Sequence, residues 1–179
     1  CQKRPQRLFE ERELSVDECA GYLQKAINLL KSQTAASGSS EGTLKVIITV
    51  SPIRYAKYGY HGSQLSKATL LLAADKLVKE NPGVVSYFPA YEIMNDELRD
   101  YRFYKEDMLH PSEQAVEYIW ERFRATYFGK AAEQFLEDWR PIREALGHKP
   151  FHPESEEHQK FIARTEEKKR QFEEKYHLL

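Results

Sequence analysis

The stretch from Leu44 to Val50 constrains the fold most, because it is nearly all apolar and rich in β-branched residues. Such a run is typical of a strand covered on both faces, as in a parallel sheet. A helical pattern follows from Ser63 to about Glu80, and Val84 to Phe88 forms a shorter strand pattern. This order of strand, helix and strand indicates a parallel crossover unit, so the sequence predicts an α/β fold.

Further helices are indicated by apolar residues at helical spacing. The first runs from a capping box at Ser15 and Glu18 to about Lys31, and the second from Pro111 to about Tyr127, with Val116, Ile119 and Trp120 on its buried stripe. The third passes through Phe135, Trp139 and Ile142, with a kink or break at Pro141. The fourth runs from Glu154 to Tyr176. We predict an α/β domain in residues 1–128 and a helical extension packed on it in residues 129–179. Two strands alone leave both sheet edges unpaired, so we expect more strands from sequence upstream of Cys1.

The charge and cysteine content exclude several classes of function. A net charge of -1 and a pI near 6.7 provide no broad positive field, so we expect no nucleic-acid partner. The sequence contains no apolar run of about 18 residues and no signal-peptide core, so we expect no membrane association. Cys1 and Cys19 are too few for a disulfide framework, which favours a cytoplasmic location. We expect no cofactor.

Asp107 and His110 are the candidate catalytic residues. They lie three residues apart in a turn just before an amphipathic helix. A histidine acting as a general base needs an acceptor on its other ring nitrogen, which fixes the tautomer and supports the cation. An alternative interpretation remains open: an Asp at this position can be only a cap, and the His only a solvated residue.

The loop from Ser51 to His61 follows the first predicted strand, and Asp107 and His110 follow the second. Because the carboxyl ends of parallel strands meet at one edge of a sheet, both loops should emerge there. Ser51, Arg54 and His61 are therefore candidate substrate-binding residues. Ser51 is disfavoured as a nucleophile because Pro52 follows it and no glycine permits a tight elbow; a hydrogen bond to the loop backbone is the expected role.

His148, His152 and His158 could suggest a metal site. Their spacing brings no cysteine and no pair of histidines one helical turn apart. We therefore predict structural packing and no metal.

A long set of segments resembles the GSCFA family, whose members look like relatives of the SGNH, or GDSL, esterases. The segments are Val50–Arg54, Gln64–Ala73, Tyr87–Glu92, Asp96–Asp107, His110–Val116 and Pro150–Ser155. The resemblance implies a flavodoxin-like α/β/α sandwich with an ester-cleaving or acyl-transferring site, in which the D-x-x-H block falls on Asp107 and His110. The Gly-Ser-Cys-Phe-Ala motif and the oxyanion-hole Gly and Asn blocks of the pattern are absent. The chain is therefore expected to be the C-terminal portion of the domain, a partial sandwich with a helical extension.

The expected function is that of an ester hydrolase or acyltransferase acting on a small-molecule or carbohydrate-linked acyl ester. Asp107 and His110 would be two members of a Ser-His-Asp triad whose serine lies upstream, so this chain alone should be inactive. The alternative is a non-catalytic binding module with vestigial hydrolase residues, docking through the last helix. An apolar face left exposed, with Asp107 pointing away from His110, would favour that alternative.

Overall fold

The computed structural model describes residues 4–36, 44–148 and 154–178. Two three-residue strands and six α-helices form the main elements of this part of the chain. They are α1 (Val16–Ala36), β1 (Val46–Ile48), α2 (Gly59–Glu80), β2 (Val85–Tyr87), α3 (Ala90–Glu92), α4 (Glu113–Tyr127), α5 (Lys130–Gly147) and α6 (Glu156–Lys175). The chain divides into two compact units, 1–120 and 121–179, within α4. The sequence prediction placed this boundary just after that helix.

The two strands form the parallel pair that the sequence predicts, with Val46 opposite Val85 and Ile48 opposite Tyr87. The fold is therefore mixed α/β and mostly helical. Each strand is shorter than predicted, and the expectation of cover on both faces is wrong for β1, because Ile47 is 38% exposed. In the part of the chain that the structure describes, each strand pairs with one neighbour, so the backbone groups along its other edge have no strand to bond.

One face of this strand pair packs against α1 and α2. The core contains Ala20 and Ile27 from α1, Ala73 and Leu77 from α2, and Val85 from β2. The capping box that begins α1 is present, because the Ser15 hydroxyl accepts from the Glu18 N–H and the Glu18 carboxylate accepts from the Ser15 N–H. The helix continues to Ala36, beyond the predicted end near Lys31; the rest of the predicted loop, residues 37–43, lies outside the described residues.

Two predicted helix starts are corrected. Ser63 does not begin α2, which starts at Gly59; the Ser63 hydroxyl instead accepts from the Tyr55 N–H at 3.1 Å. Pro111 does not begin α4 either. The helix starts at Glu113, and the Ser112 hydroxyl caps it by accepting from the Ala115 N–H at 3.2 Å.

The connection between β2 and α4 contains more structure than the single helical turn predicted for it. After α3 the chain forms a π-helical segment, Ile93–Leu98, and a 3-10 turn, Tyr101–Phe103. Met94, Phe103 and Tyr104 pack here against Ala115 and Ile119 of α4. The predicted buried stripe of α4 is therefore only partly right, because Val116 is 56% exposed and Ala115 is fully buried.

In the second unit α5 and α6 pack together through aromatic rings. The ring of Phe172 lies 4.9 Å from that of Phe135 and 5.2 Å from that of Trp139. Of the kink or break predicted at Pro141, the break is absent, because Pro141 lies inside the continuous helix α5. A proline inside a helix costs about 3 kcal/mol, and the contacts of Phe135 and Trp139 with Phe172 offset part of that cost. No helix in the described ranges has the length and apolar character needed to cross a bilayer.

Candidate active site

The candidate site is a short hairpin turn between the 3-10 turn and α4. Tyr104 and Pro111 form an isolated antiparallel bridge. Its two hydrogen bonds run from the Lys105 N–H to the His110 carbonyl, at 2.8 Å, and from the Ser112 N–H to the Phe103 carbonyl, at 2.7 Å. Neither bond uses the N–H of the bridged residues, so a proline is accommodated at position 111. The bridge therefore fixes both ends of the segment that contains Asp107 and His110.

The Asp107 side chain accepts hydrogen bonds from the backbone of this turn. Its Oδ1 accepts from the backbone N–H groups of Leu109, at 2.9 Å, and of His110, at 3.0 Å. Its Oδ2 lies 2.5 Å from His110 Nδ1. The backbone donors, first that of His110 and then that of Leu109, together with the His110 ring, lower the pKa of Asp107 from 3.8 to about 2. The carboxylate is therefore ionised at neutral pH.

The pairing of Asp107 and His110 expected from their spacing is formed, and it sets the tautomer of the imidazole. An ionised carboxylate only accepts hydrogen bonds, so His110 Nδ1 must bear the proton facing Oδ2. In the neutral ring Nε2 then has its lone pair free, as a general base requires. Nε2 makes no hydrogen bond to any residue within 4–36, 44–148 or 154–178, and the His110 side chain is 54% exposed. A catalytic role for the pair stays a prediction.

The lowered pKa of Asp107 predicts how the turn responds to acid. A carboxyl whose pKa falls on folding stabilises the folded state above its unfolded pKa, near 3.8, and that contribution is lost as the pH falls towards about 2. In urea unfolding, the difference in unfolding free energy between the parent chain and Asp107→Asn should shrink between pH 5 and pH 2. The carboxyl carbon of Asp107 should titrate near pH 2 by NMR. A midpoint near 3.8 would contradict this assignment.

Arg54 contacts the turn from the loop after β1. Its backbone N–H donates to the Leu109 carbonyl at 3.1 Å, and its Nη1 donates to the Met108 carbonyl at 3.3 Å. The guanidinium lies 4.1 Å from the centre of the Tyr104 ring and within 6 Å of the Tyr60 and Tyr101 rings. The structure therefore brings the two predicted loops together, as expected for loops at one edge of a parallel sheet.

Ser51 and Lys67 lie at the base of the same loop. The Ser51 hydroxyl accepts from the Ile53 N–H at 3.4 Å, and the Ser51 carbonyl accepts from Lys67 Nζ at 2.6 Å. Lys67 is only 9% exposed, and burial lowers the pKa of its ammonium group. Lys67 is not among the site residues predicted from the sequence. Its position one helical turn after Ser63 and two turns before Ala74, all on one buried face of α2, is the signal that could have found it.

The other predicted site residues are not brought to the pair. His61 lies exposed in the first turn of α2 and has no hydrogen bond, ion pair or ring contact with Asp107 or His110. His148 and His158 both lie against the ring of Phe161 in the second unit, and His152 lies outside the described residues. No cluster of metal-ligating side chains occurs within the described ranges.

A shallow depression of about 710 Å³ borders Asp107. It is lined by Arg102, Lys105, Glu106, Asp107, Ser112, Glu113 and Gln114. His110 is not part of its wall, and its side chain is exposed to solvent.

These features define a mixed α/β protein with a paired Asp and His in a turn that follows its second parallel strand. A model described as the GSCFA family matches residues 1–123, and a model described as the GSCFA domain protein, C-terminal domain, matches residues 139–179. The chain belongs to the GSCFA family. No match was found in comparisons with curated proteins or with solved structures.

Proposed function

We propose that this chain contributes the Asp107–His110 pair to the Ser-His-Asp triad of an SGNH-like ester hydrolase or acyltransferase. The observation on which this proposal depends is the 2.5 Å contact between Asp107 Oδ2 and His110 Nδ1, with Nε2 left available to a substrate or nucleophile. The substrate is an acyl ester of a small molecule or of a carbohydrate. The resemblance of residues 44–155 to GSCFA proteins supports the same class of reaction.

The proposed mechanism is acyl transfer through a serine. His110 Nε2 takes the hydroxyl proton as the serine oxygen attacks the ester carbonyl, and returns it to the leaving alcohol when the C–O bond breaks. A water or an acceptor alcohol then attacks the acyl-enzyme with the same histidine as base. Asp107 keeps Nδ1 protonated and stabilises the imidazolium that forms in each half of the reaction.

The serine is proposed to come from a segment upstream of these residues, in a complete flavodoxin-like sandwich of which this chain forms part. Two features are consistent with additional elements. In the described part no strand pairs with the outer edges of β1 and β2, and Ile47 is exposed. The side chains of His110 and Asp107 are also 54% and 44% exposed, whereas charge stabilisation in a triad is strongest where water is excluded. A serine-bearing segment packed over the pair would supply both the nucleophile and that cover.

A fluorophosphonate probe, which reacts with activated serines, tests this proposal. In the intact polypeptide we expect one labelled serine, located by mass spectrometry upstream of the 179 residues. The 179-residue chain alone should remain unlabelled, because the serine that His110 activates is proposed to lie upstream of it. Labelling of Ser51, or labelling of the intact protein that does not depend on His110, would contradict the proposal.

An Asp107 side chain that pointed away from His110 would have favoured the binding-module alternative. The two side chains instead form a hydrogen-bonded pair, so the geometry favours the hydrolase.

A further inference from the structure

The residue between the two members of the pair has a strained backbone. Met108 has φ 60°, in the left-handed region that a side chain with a Cβ rarely adopts. Its N–H donates to the Lys105 carbonyl at 2.9 Å, which closes the turn. Met108 directly precedes the two N–H groups that bind Asp107 Oδ1. If Met108 relaxed to an extended conformation, the orientation of the Leu109–His110 backbone relative to Asp107 would change.

Arg54 is the residue outside the turn that binds its strained part. Its Nη1 donates to the Met108 carbonyl, and its backbone N–H donates to the neighbouring Leu109 carbonyl. The guanidinium also lies over the ring of Tyr104, which is 7% exposed, and this cation–π contact restricts where the guanidinium can lie. No carboxylate in the described ranges forms an ion pair with Arg54. Its contacts are therefore directed at the turn and at the rings beneath it.

The loop that contains Arg54 is itself anchored to α2. Lys67 Nζ donates to the Ser51 carbonyl, and the Ser63 hydroxyl accepts from the Tyr55 N–H. Both anchoring side chains are buried, at 9% and 5% exposure, and lie one helical turn apart on the same face of α2. The hydrogen bonds at positions 51 and 55 bracket Arg54 on both sides. A continuous set of contacts therefore leads from the buried face of α2 to the Asp107–His110 turn.

We propose that Arg54 is a positioning residue, which holds Met108 in its left-handed conformation and so keeps His110 Nδ1 on Asp107 Oδ2. This assignment replaces the substrate-binding role expected from the sequence. Its catalytic consequence rests on the proposed function, but the geometry it claims can be measured without any activity.

NMR of the His110 ring in the 179-residue chain tests the proposal directly. With ¹⁵N-labelled histidine, and with His110→Gln to assign the signal among the six histidines, the parent chain should show a downfield Nδ1 proton and the Nδ1–H tautomer. Arg54→Met should lose the downfield proton and gain the Nε2–H tautomer. The backbone hydrogen bond from residue 54 to the Leu109 carbonyl survives this substitution. Loss of the downfield proton therefore reports the removal of the guanidinium alone.

A second substitution separates positioning from other roles. Glycine adopts positive φ without a steric penalty, so Met108→Gly in the Arg54→Met background should restore the Nδ1 signal.

Arg102→Met is the matched control: it also removes a guanidinium above an aromatic ring, that of Phe103, but one without a hydrogen bond to the turn. An unchanged signal in Arg54→Met, no restoration by Met108→Gly, or an equal loss in Arg102→Met would each overturn the proposal. If Arg54→Met does not fold, Arg54→Lys replaces it, with the same loss expected because lysine cannot stack as a planar group.

Kinetics in the intact polypeptide give the catalytic readout. Arg54→Met should lower kcat for an acetyl ester by about 10- to 100-fold with an unchanged KM. A higher KM with an unchanged kcat would identify Arg54 as a substrate-binding residue and overturn the proposal. If the intact polypeptide has no esterase activity at all, the proposed function fails, and the NMR result still decides the role of Arg54.

Discussion

Replacing His110 with alanine should lower kcat/KM for p-nitrophenyl acetate in the intact polypeptide by about 10²- to 10⁴-fold, the usual contribution of a general acid–base residue. The backbone of residue 110 accepts from the Lys105 N–H and donates to Asp107 Oδ1. Both bonds survive the substitution, so the turn should persist and the loss should report the imidazole. Because the His110 side chain is 54% exposed, added imidazole should enter the vacated position and restore part of the rate.

His148→Ala is the control for the loss of a histidine. His148 is exposed and lies against Phe161 in the second unit, so its removal should leave the rate unchanged. Full esterase activity in His110→Ala would refute the assignment of His110 as the general base.

Asp107→Asn should have an effect of similar size, a loss of kcat of about 10⁴-fold, as when a triad carboxylate is replaced by an amide. The asparagine carbonyl can still accept from the Leu109 and His110 N–H groups that bind Asp107 Oδ1. Its NH2 group then faces His110 Nδ1 and donates to it. The imidazole must shift its proton to Nε2, which can no longer accept the serine proton. Kinetics and the tautomer seen by NMR should therefore change together.

Asp100→Asn is the matched control for this substitution. Asp100 Oδ1 accepts from the Arg102 N–H at 3.0 Å in a similar local cap, but no histidine faces its other oxygen. Activity should be retained there. A retained rate in Asp107→Asn, or a loss that leaves the His110 tautomer unchanged, would contradict the role given to Asp107.

The central secondary structure was predictable because it depends on local sequence pattern. The β-branched run at 46–48 and the shorter strand at 85–87 pair in parallel as expected, since a helix between two strands permits that connection. The predicted starts of α2 and α4 were wrong. α2 begins four residues before Ser63, because the residue that looks like a cap is instead bonded to the loop at Tyr55. A cap motif indicates only that a hydroxyl can accept a hydrogen bond. Tertiary contacts decide which N–H donates that bond.

The spacing of apolar residues correctly predicted that α4 is a helix, but it predicted only part of the buried face. Trp120 and Val116 were expected on the buried stripe of α4, but Ala115 is the fully buried residue and Val116 is exposed. A small residue lies where the aromatic rings of Phe103 and Tyr104 approach the helix. Which face is covered depends on the π-helical and 3-10 segments before the helix, and these have no simple sequence signature.

By itself, the sequence determined the order of strand, helix and strand and the meeting of Asp107 with His110, because these depend on local pattern: the periods of strand and helix, and a turn of three residues. Only the tertiary structure decided that Arg54 binds the Met108 carbonyl, 54 positions away, and that Lys67 is buried beneath Ser51. Contacts between residues so far apart depend on how helices and loops pack in three dimensions. Helical periodicity can place Lys67 on the buried face of α2, but neither periodicity nor local propensity encodes which loop that face contacts.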